Sequence, residues 1–198
     1  MKVLSDAEVH EWLTAFPGGT EYVHRDAGGL FFSDPEASCI DIEYPPKLER
    51  LPFFVRYLAT LGYESRDFSG ALLWFTEWNV WNTLDEGVGY RIVEAMHSAA
   101  GQPRSFESAP GHLFRADELT EATGLLLQPM VFGWDAIYLP RWSFGTDQFF
   151  LHVSHDSFVS VVIRSKEFYG RVFSLLKDLD LNPQAGHELQ TRRFARKS

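Results

Sequence analysis

Residues 116–139, ADELTEATGLLLQPMVFGWDAIYL, decide what kind of fold this chain adopts. Apolar residues recur at three- and four-residue spacing from Leu119 to Leu126, which predicts a helix with one apolar side. From Leu125 to Phe132 almost every side chain is apolar, which is typical of a helix buried on all sides. Pro129 lacks an N–H group and crowds the preceding turn, so we expect a kink or an end at Gln128–Pro129.

Two apolar segments predict the centre of a sheet. Gly133 permits the chain to turn, and residues 134–139 (WDAIYL) then predict a short buried strand. Residues 71–78 (ALLWFTEW) predict the most buried strand, because a nearly continuous apolar run is typical of a strand covered on both faces. Residues 148–154 and 158–163 predict a hairpin around a Ser-His-Asp-Ser turn.

The order of the predicted elements defines the expected fold class. Strands and helices are mixed without a strict alternation, and several neighbouring strands form hairpins. We therefore expect α+β, a mixed, mostly antiparallel sheet packed with four to five helices. At 198 residues the chain fits one compact domain. We place that domain at residues 1–182, followed by a polar, basic C-terminal tail at 183–198 that frays.

The charge and the cysteine content limit which classes of partner and which cellular compartment we expect. The formal net charge is −9, and residues 191–198 contribute +4, so the rest of the chain carries −13. An acidic body argues against nucleic acid and anionic membranes as partners and suits a basic protein partner. Cys39 is the single cysteine, so no disulfide forms within the chain. The sequence shows neither a leader peptide nor an apolar run of about 20 residues, and we expect a soluble, cytoplasmic protein.

The sequence lacks the common catalytic and cofactor motifs. It contains no phosphate-binding Gly-rich loop, no Gly-x-Ser-x-Gly and no His-Glu-x-x-His, so we expect no cofactor. The most ligand-like cluster is His152, His155 and Asp156. Ligands on one strand face are two residues apart rather than three, so we interpret these as ordinary strand and turn residues and expect no metal.

Two carboxylates lie in apolar strand segments. Glu77 lies in the strand predicted at 71–78, and Asp135 lies at the head of the strand predicted at 134–139. A carboxylate in such a place is paired or has a raised pKa, which makes it a candidate acid or base. If the strands are neighbours, the two carboxyl groups lie within roughly 10 Å, as in glycosidases. The alternative is that Glu77 reaches solvent or pairs with an arginine, and that Asp135 accepts from a loop amide.

Aromatic residues near strand ends suggest a binding surface. The candidates are Trp78, Trp81, Arg141, Trp142 and Phe144. Tryptophan and arginine are common anchors in protein interfaces, and aromatic faces also bind sugars. The alternative is that each ring folds back over the edge of the core.

Two functions follow from these features. In composition the chain is similar to bacterial immunity proteins and antitoxins, which meet basic toxins through acidic surfaces, although no motif is shared. That similarity favours a non-catalytic protein-binding module. The alternative is an enzyme acting on a small polar or sugar-like substrate, with Glu77 and Asp135 as acid and base. The oligomeric state stays open, and partial exposure of residues 125–132 would support a homodimer.

Overall fold

The computed structural model describes residues 1–15, 24–26, 29–31, 37–61, 68–78, 84–142, 149–186 and 193–195. Its helices are α1 (Asp6–Ala15), α2 (Leu51–Ala59), α3 (Leu84–Ala99), α4 (Leu119–Phe132) and α5 (Lys166–Asp178). Its strands are β1 (Lys2–Leu4), β2 (His24–Asp26), β3 (Gly29–Phe31), β4 (Ser38–Glu43), β5 (Phe68–Glu77), β6 (Gly111–Arg115), β7 (Asp135–Trp142), β8 (Phe149–Ser154), β9 (Phe158–Ile163), β10 (Gln184–Ala185) and β11 (Arg193–Ala195). The expected α+β class is confirmed.

The main sheet has eight strands in the order β1-β6-β5-β7-β8-β9-β4-β10. All neighbouring pairs in it are antiparallel. β8 and β9 form the predicted hairpin, with Ser154 opposite Phe158. A separate small sheet has the order β11-β3-β2.

β5 lies in the interior of the main sheet, between β6 and β7, and is covered on both faces. Leu72 and Trp74 pack on one face in a cluster with Val9 and Leu13 of α1. Alternate residues from Ala71 to Phe75 pack on the opposite face, in the larger cluster that includes buried residues of α2 to α5. The expectation that this apolar strand is central is therefore confirmed.

α4 does not end at Gln128–Pro129, and the alternative of a kink there stays a prediction. The helix continues through Pro129 to Phe132 and ends at Gly133, whose φ of 65° is the left-handed conformation that glycine adopts easily. Pro129 and Met130 are buried, and we attribute the continuation to this packing, which compensates for the lost backbone hydrogen bond. Val131 is 50% exposed, but a single exposed apolar side chain is ordinary, so the homodimer stays a prediction.

Two short parts of the basic tail form strands. Gln184–Ala185 pairs with β4, and the Gly186 amide donates to the Cys39 carbonyl at 2.8 Å. Arg193–Ala195 pairs with β3. These two parts of the tail are therefore paired with strands of the two sheets, and the fraying of the tail stays a prediction. The division of the chain at residue 182 stays a prediction.

A buried pair of histidines joins α3 to the sheet. The Nε2 atoms of His97, on α3, and His112, on β6, lie 2.6 Å apart, so one ring donates and the other accepts. His97 Nδ1 lies 3.1 Å from the Arg104 carbonyl oxygen. If Nδ1 carries the proton and donates there, His97 Nε2 accepts from His112. Burial and the neighbouring His97 lower the pKa of His112 to about 3.

This pair predicts a pH-dependent stability. The pKa of His112 is lower in the folded chain than the ordinary value of 6.5. The unfolded chain therefore gains a proton first as pH falls, and stability declines between about pH 6.5 and about pH 3. From pH 7 to pH 5, urea unfolding should show wild type losing on the order of 2 kcal/mol more than His112→Gln. Equal losses in the two proteins would contradict the assignment.

Candidate functional site

An irregularity in the pairing of β5 with β7 places the two predicted carboxylates together. Phe75 lies opposite Ala136, but the register then shifts and Glu77 lies opposite Asp135. With regular pairing, Thr76 would have faced Asp135. A bulge of this kind redirects a side chain and is common beside active sites.

His155, in the turn between β8 and β9, completes the cluster. Its backbone amide donates to Asp135 Oδ1 at 2.8 Å, and its Nδ1 atom lies 2.9 Å from both carboxylate oxygens. The turn comes close to Asp135 because β8 pairs directly with β7, with Val153 opposite Ala136. Donation from Nδ1 to the carboxylate leaves Nε2 of a neutral imidazole as an acceptor.

Asp135 is the buried member of the cluster, with 4% of its surface exposed. Burial raises the pKa of Asp135, the N–H groups and charge of His155 lower it, and the charge of Glu77 raises it again. The net effect is a raised pKa. Burial and the charge of Asp135 also raise the pKa of Tyr44, whose hydroxyl donates to the Ser154 carbonyl at 3.0 Å. The cluster therefore combines the buried carboxyl group of Asp135 with two half-buried titratable side chains, Glu77 and His155.

Glu77, Asp135 and His155 also have the donor types of a metal site. One potential ligand atom from each lies within 4.8 Å of the others, and this is the one such group among the residues that the structure describes. Carboxylate and imidazole are donors that Zn²⁺ and Mn²⁺ accept. His155, which the sequence analysis grouped with His152, thus lies against Asp135. The buried His152 ring instead lies edge-on to Phe158, 6.4 Å away between centroids.

The expected aromatic binding surface is only partly within the described residues. Trp78 is half-buried and its ring lies 4.9 Å from that of Phe106, so it folds back on the core. Arg141 is exposed and its guanidinium lies 5.6 Å from the centre of the Trp12 ring. Trp81, Phe144 and the side chain of Trp142 lie outside the described part of the chain.

His155 is the site residue whose role sequence reasoning missed. The sequence signal was present, because the hairpin turn was predicted at 154–157 and Asp135 was predicted to need a partner. What joins them is the adjacency of β7 and β8. Antiparallel neighbours are the more frequent arrangement, so testing the hairpin beside β7 would have found the pair.

Comparison with known proteins adds no assignment to this geometry. The chain matches no protein-family model, no curated protein sequence and no solved structure. Among the described residues, no helix is both long enough and apolar enough to cross a bilayer.

Glu77 and His155 should shift the pKa of Asp135 in opposite directions. Glu77→Gln removes a negative charge, so the pKa of Asp135 should fall. His155→Phe removes the side-chain donor and its charge, so that pKa should rise. Carbon-detected NMR titration of the Asp135 carboxyl group measures both shifts. Glu121→Gln, on the exposed side of α4, is the matched control and should leave the titration unchanged. A titration insensitive to both substitutions would show that the three groups are not coupled.

Proposed function

We propose that the chain is an enzyme that performs acid–base chemistry on a small polar substrate, with Glu77, Asp135 and His155 at its centre. The observation that supports this is the convergence of three titratable groups from three separate elements, within 4.8 Å of one another. A buried carboxyl group with a raised pKa beside a charged partner is a feature of catalytic sites.

Asp135 serves in this proposal as a positioning residue. It is almost fully buried, and its oxygens accept from the amide of His155 and contact Nδ1. A carboxylate in this arrangement fixes the orientation and tautomer of the imidazole and stabilises its protonated form. His155 Nε2 is then the base, taking a proton from a water or a substrate hydroxyl group.

Glu77 is the second proton-exchanging group. It is half-buried at the end of β5, so a substrate can contact it more readily than Asp135. These roles modify the expected acid–base pair of Glu77 and Asp135, since Asp135 orients His155 rather than contacting the substrate. A hollow of about 470 Å³ has in its wall Tyr44 and the two residues that follow His155, Asp156 and Ser157, although Glu77, Asp135 and His155 do not line it. Acidic and hydroxyl side chains in this wall offer hydrogen-bond partners to a small substrate with hydroxyl or amino groups.

Substitution of the two accessible groups tests the proposal. We expect the purified protein to hydrolyse at least one member of a panel of 4-nitrophenyl glycosides, esters and phosphates. Glu77→Gln and His155→Gln should each lower kcat by about 10²- to 10⁴-fold, because each removes a proton-transfer group. Release of 4-nitrophenol measures the rate, and circular dichroism checks that each variant is folded.

The control is Glu121→Gln, which changes an exposed carboxylate on α4 and should retain full activity. Turnover that survives both Glu77→Gln and His155→Gln, or no turnover of any member of the panel, would contradict the proposal.

Asp135→Asn should reduce kcat without lowering the melting temperature at neutral pH, because the raised pKa means that folding opposes ionisation of this group.

The second candidate is the non-catalytic module that binds a basic protein. The observation that favours it is the charge of −13 outside residues 191–198, together with three carboxylates, Asp41, Glu43 and Asp156, around one hollow. Such an interaction should weaken steeply with salt. It should also survive Glu77→Gln and His155→Gln, whereas the enzymatic activity should not. Binding of a purified basic protein at two salt concentrations distinguishes the two candidates.

A further inference from the structure

A second concave site lies between α2 and the end of α5. We call it the aromatic groove, and it has a volume of about 590 Å³. Its walls consist of aromatic, proline and leucine side chains with a few charged or polar groups. They are Glu43, Tyr44, Pro45, Pro46, Arg50, Phe53, Phe54, Tyr57, Leu179, Asp180, Leu181 and Asn182. Its size and mainly apolar walls are those of small-molecule sites.

The end of α5 gives the groove one wall. The Asp180 amide donates to the Lys177 carbonyl and the Leu181 amide to the Leu176 carbonyl, both at 3.0 Å, which is the hydrogen-bond pattern of a Schellman motif. Asp180 occupies its left-handed position with φ of 57°, where glycine is usual. The motif turns Leu181 back onto the core, and Asp180 is one of the residues that line the groove.

Two apolar side chains of the groove are left exposed in the folded chain. Phe53 on α2 is 76% exposed and Leu179 at the end of α5 is 47% exposed. Phe54 and Tyr44 line the same groove; Phe54 is 4% exposed, and the centroids of the two rings are 6.4 Å apart. A ligand that covers Phe53 and Leu179 would gain apolar contact area without unfolding any element.

The charges around the groove favour a cation. Glu43 and Asp180 outnumber the single cation of the wall, Arg50. The hollow of about 470 Å³, which Asp41 and Asp156 line, adjoins the groove through the shared residues Glu43 and Tyr44. The faces of aromatic rings also attract cations. Aromatic walls with two acidic residues therefore match a ligand with an apolar ring and a positively charged amine.

We propose that the aromatic groove binds a small aromatic amine. The ring packs against Phe53, Tyr57 and Leu179, and the ammonium group lies near the carboxylates of Glu43 and Asp180. This proposal is independent of the acid–base chemistry proposed for Glu77, Asp135 and His155, because none of those three residues lines the groove.

Three indole compounds test the class of ligand. Tryptamine carries an amine, tryptophol is neutral, and indole-3-acetate carries a carboxylate on the same ring system. Isothermal titration calorimetry should show saturable binding of tryptamine at millimolar or lower concentration. The binding should be about tenfold tighter than that of tryptophol, with no measurable binding of indole-3-acetate. Amide shifts in a ¹⁵N spectrum should map to α2 and residues 179–182.

Matched pairs of substitutions test the location. Asp180→Asn removes the charge while keeping a residue that tolerates the left-handed conformation, and Asp178→Asn removes an exposed carboxylate outside the groove wall. Phe53→Ser removes the exposed ring, and Leu48→Ser changes a residue that is 80% exposed and does not line the groove. Asp180→Asn and Phe53→Ser should each weaken tryptamine binding about tenfold, whereas the two controls should leave it unchanged.

Several outcomes would overturn the proposal. They are the absence of tryptamine binding, equal binding of indole-3-acetate, and equal effects of Asp180→Asn and Asp178→Asn, which would indicate a general attraction of cations by an acidic protein. Glu77→Gln should leave tryptamine binding intact. Loss of hydrolytic activity and loss of groove binding therefore report on separate sites.

Discussion

The structure depends on the pairing of β5 with β7. Both strands are apolar on two faces, and each contributes side chains to both hydrophobic clusters. A strand of this kind is stable only when helices or loops cover both sides of the sheet. α1 covers one side, and α2 to α5 contribute to the core on the other. The other strands of the main sheet extend this pair outward to its edges, β1 and β10.

The same pairing creates the polar cluster at its end. Water is excluded along the length of β5 and β7, so a carboxylate at the last pair is only partly solvated. The bulge after Phe75 aligns Glu77 with Asp135, and the two like charges disfavour simultaneous ionisation. The amide and imidazole of His155 offset part of this cost. A site with perturbed protonation therefore arises directly from the geometry of the most buried strand pair.

Tyr44 connects this cluster to the rest of the surface. Its hydroxyl is held by the Ser154 carbonyl, close enough to Asp135 for the carboxylate charge to raise its pKa. Tyr44 also forms part of the wall of both the hollow of about 470 Å³ and the aromatic groove. Pro45 and Pro46 follow it directly and end β4, because proline cannot donate to a strand ladder. One short segment thus shapes three neighbouring features.

Periodicity and apolar runs by themselves determined the α+β class, the central position of β5 and the β8–β9 hairpin. These features follow from local patterns, because the spacing of apolar residues acts within a few positions. Packing decided that α4 continues through Pro129. Only the tertiary structure determined the bulge before Glu77, the contact of His155 with Asp135 and the aromatic groove. Each of these depends on which distant strands and helices become neighbours, and strand order is not encoded in any local pattern.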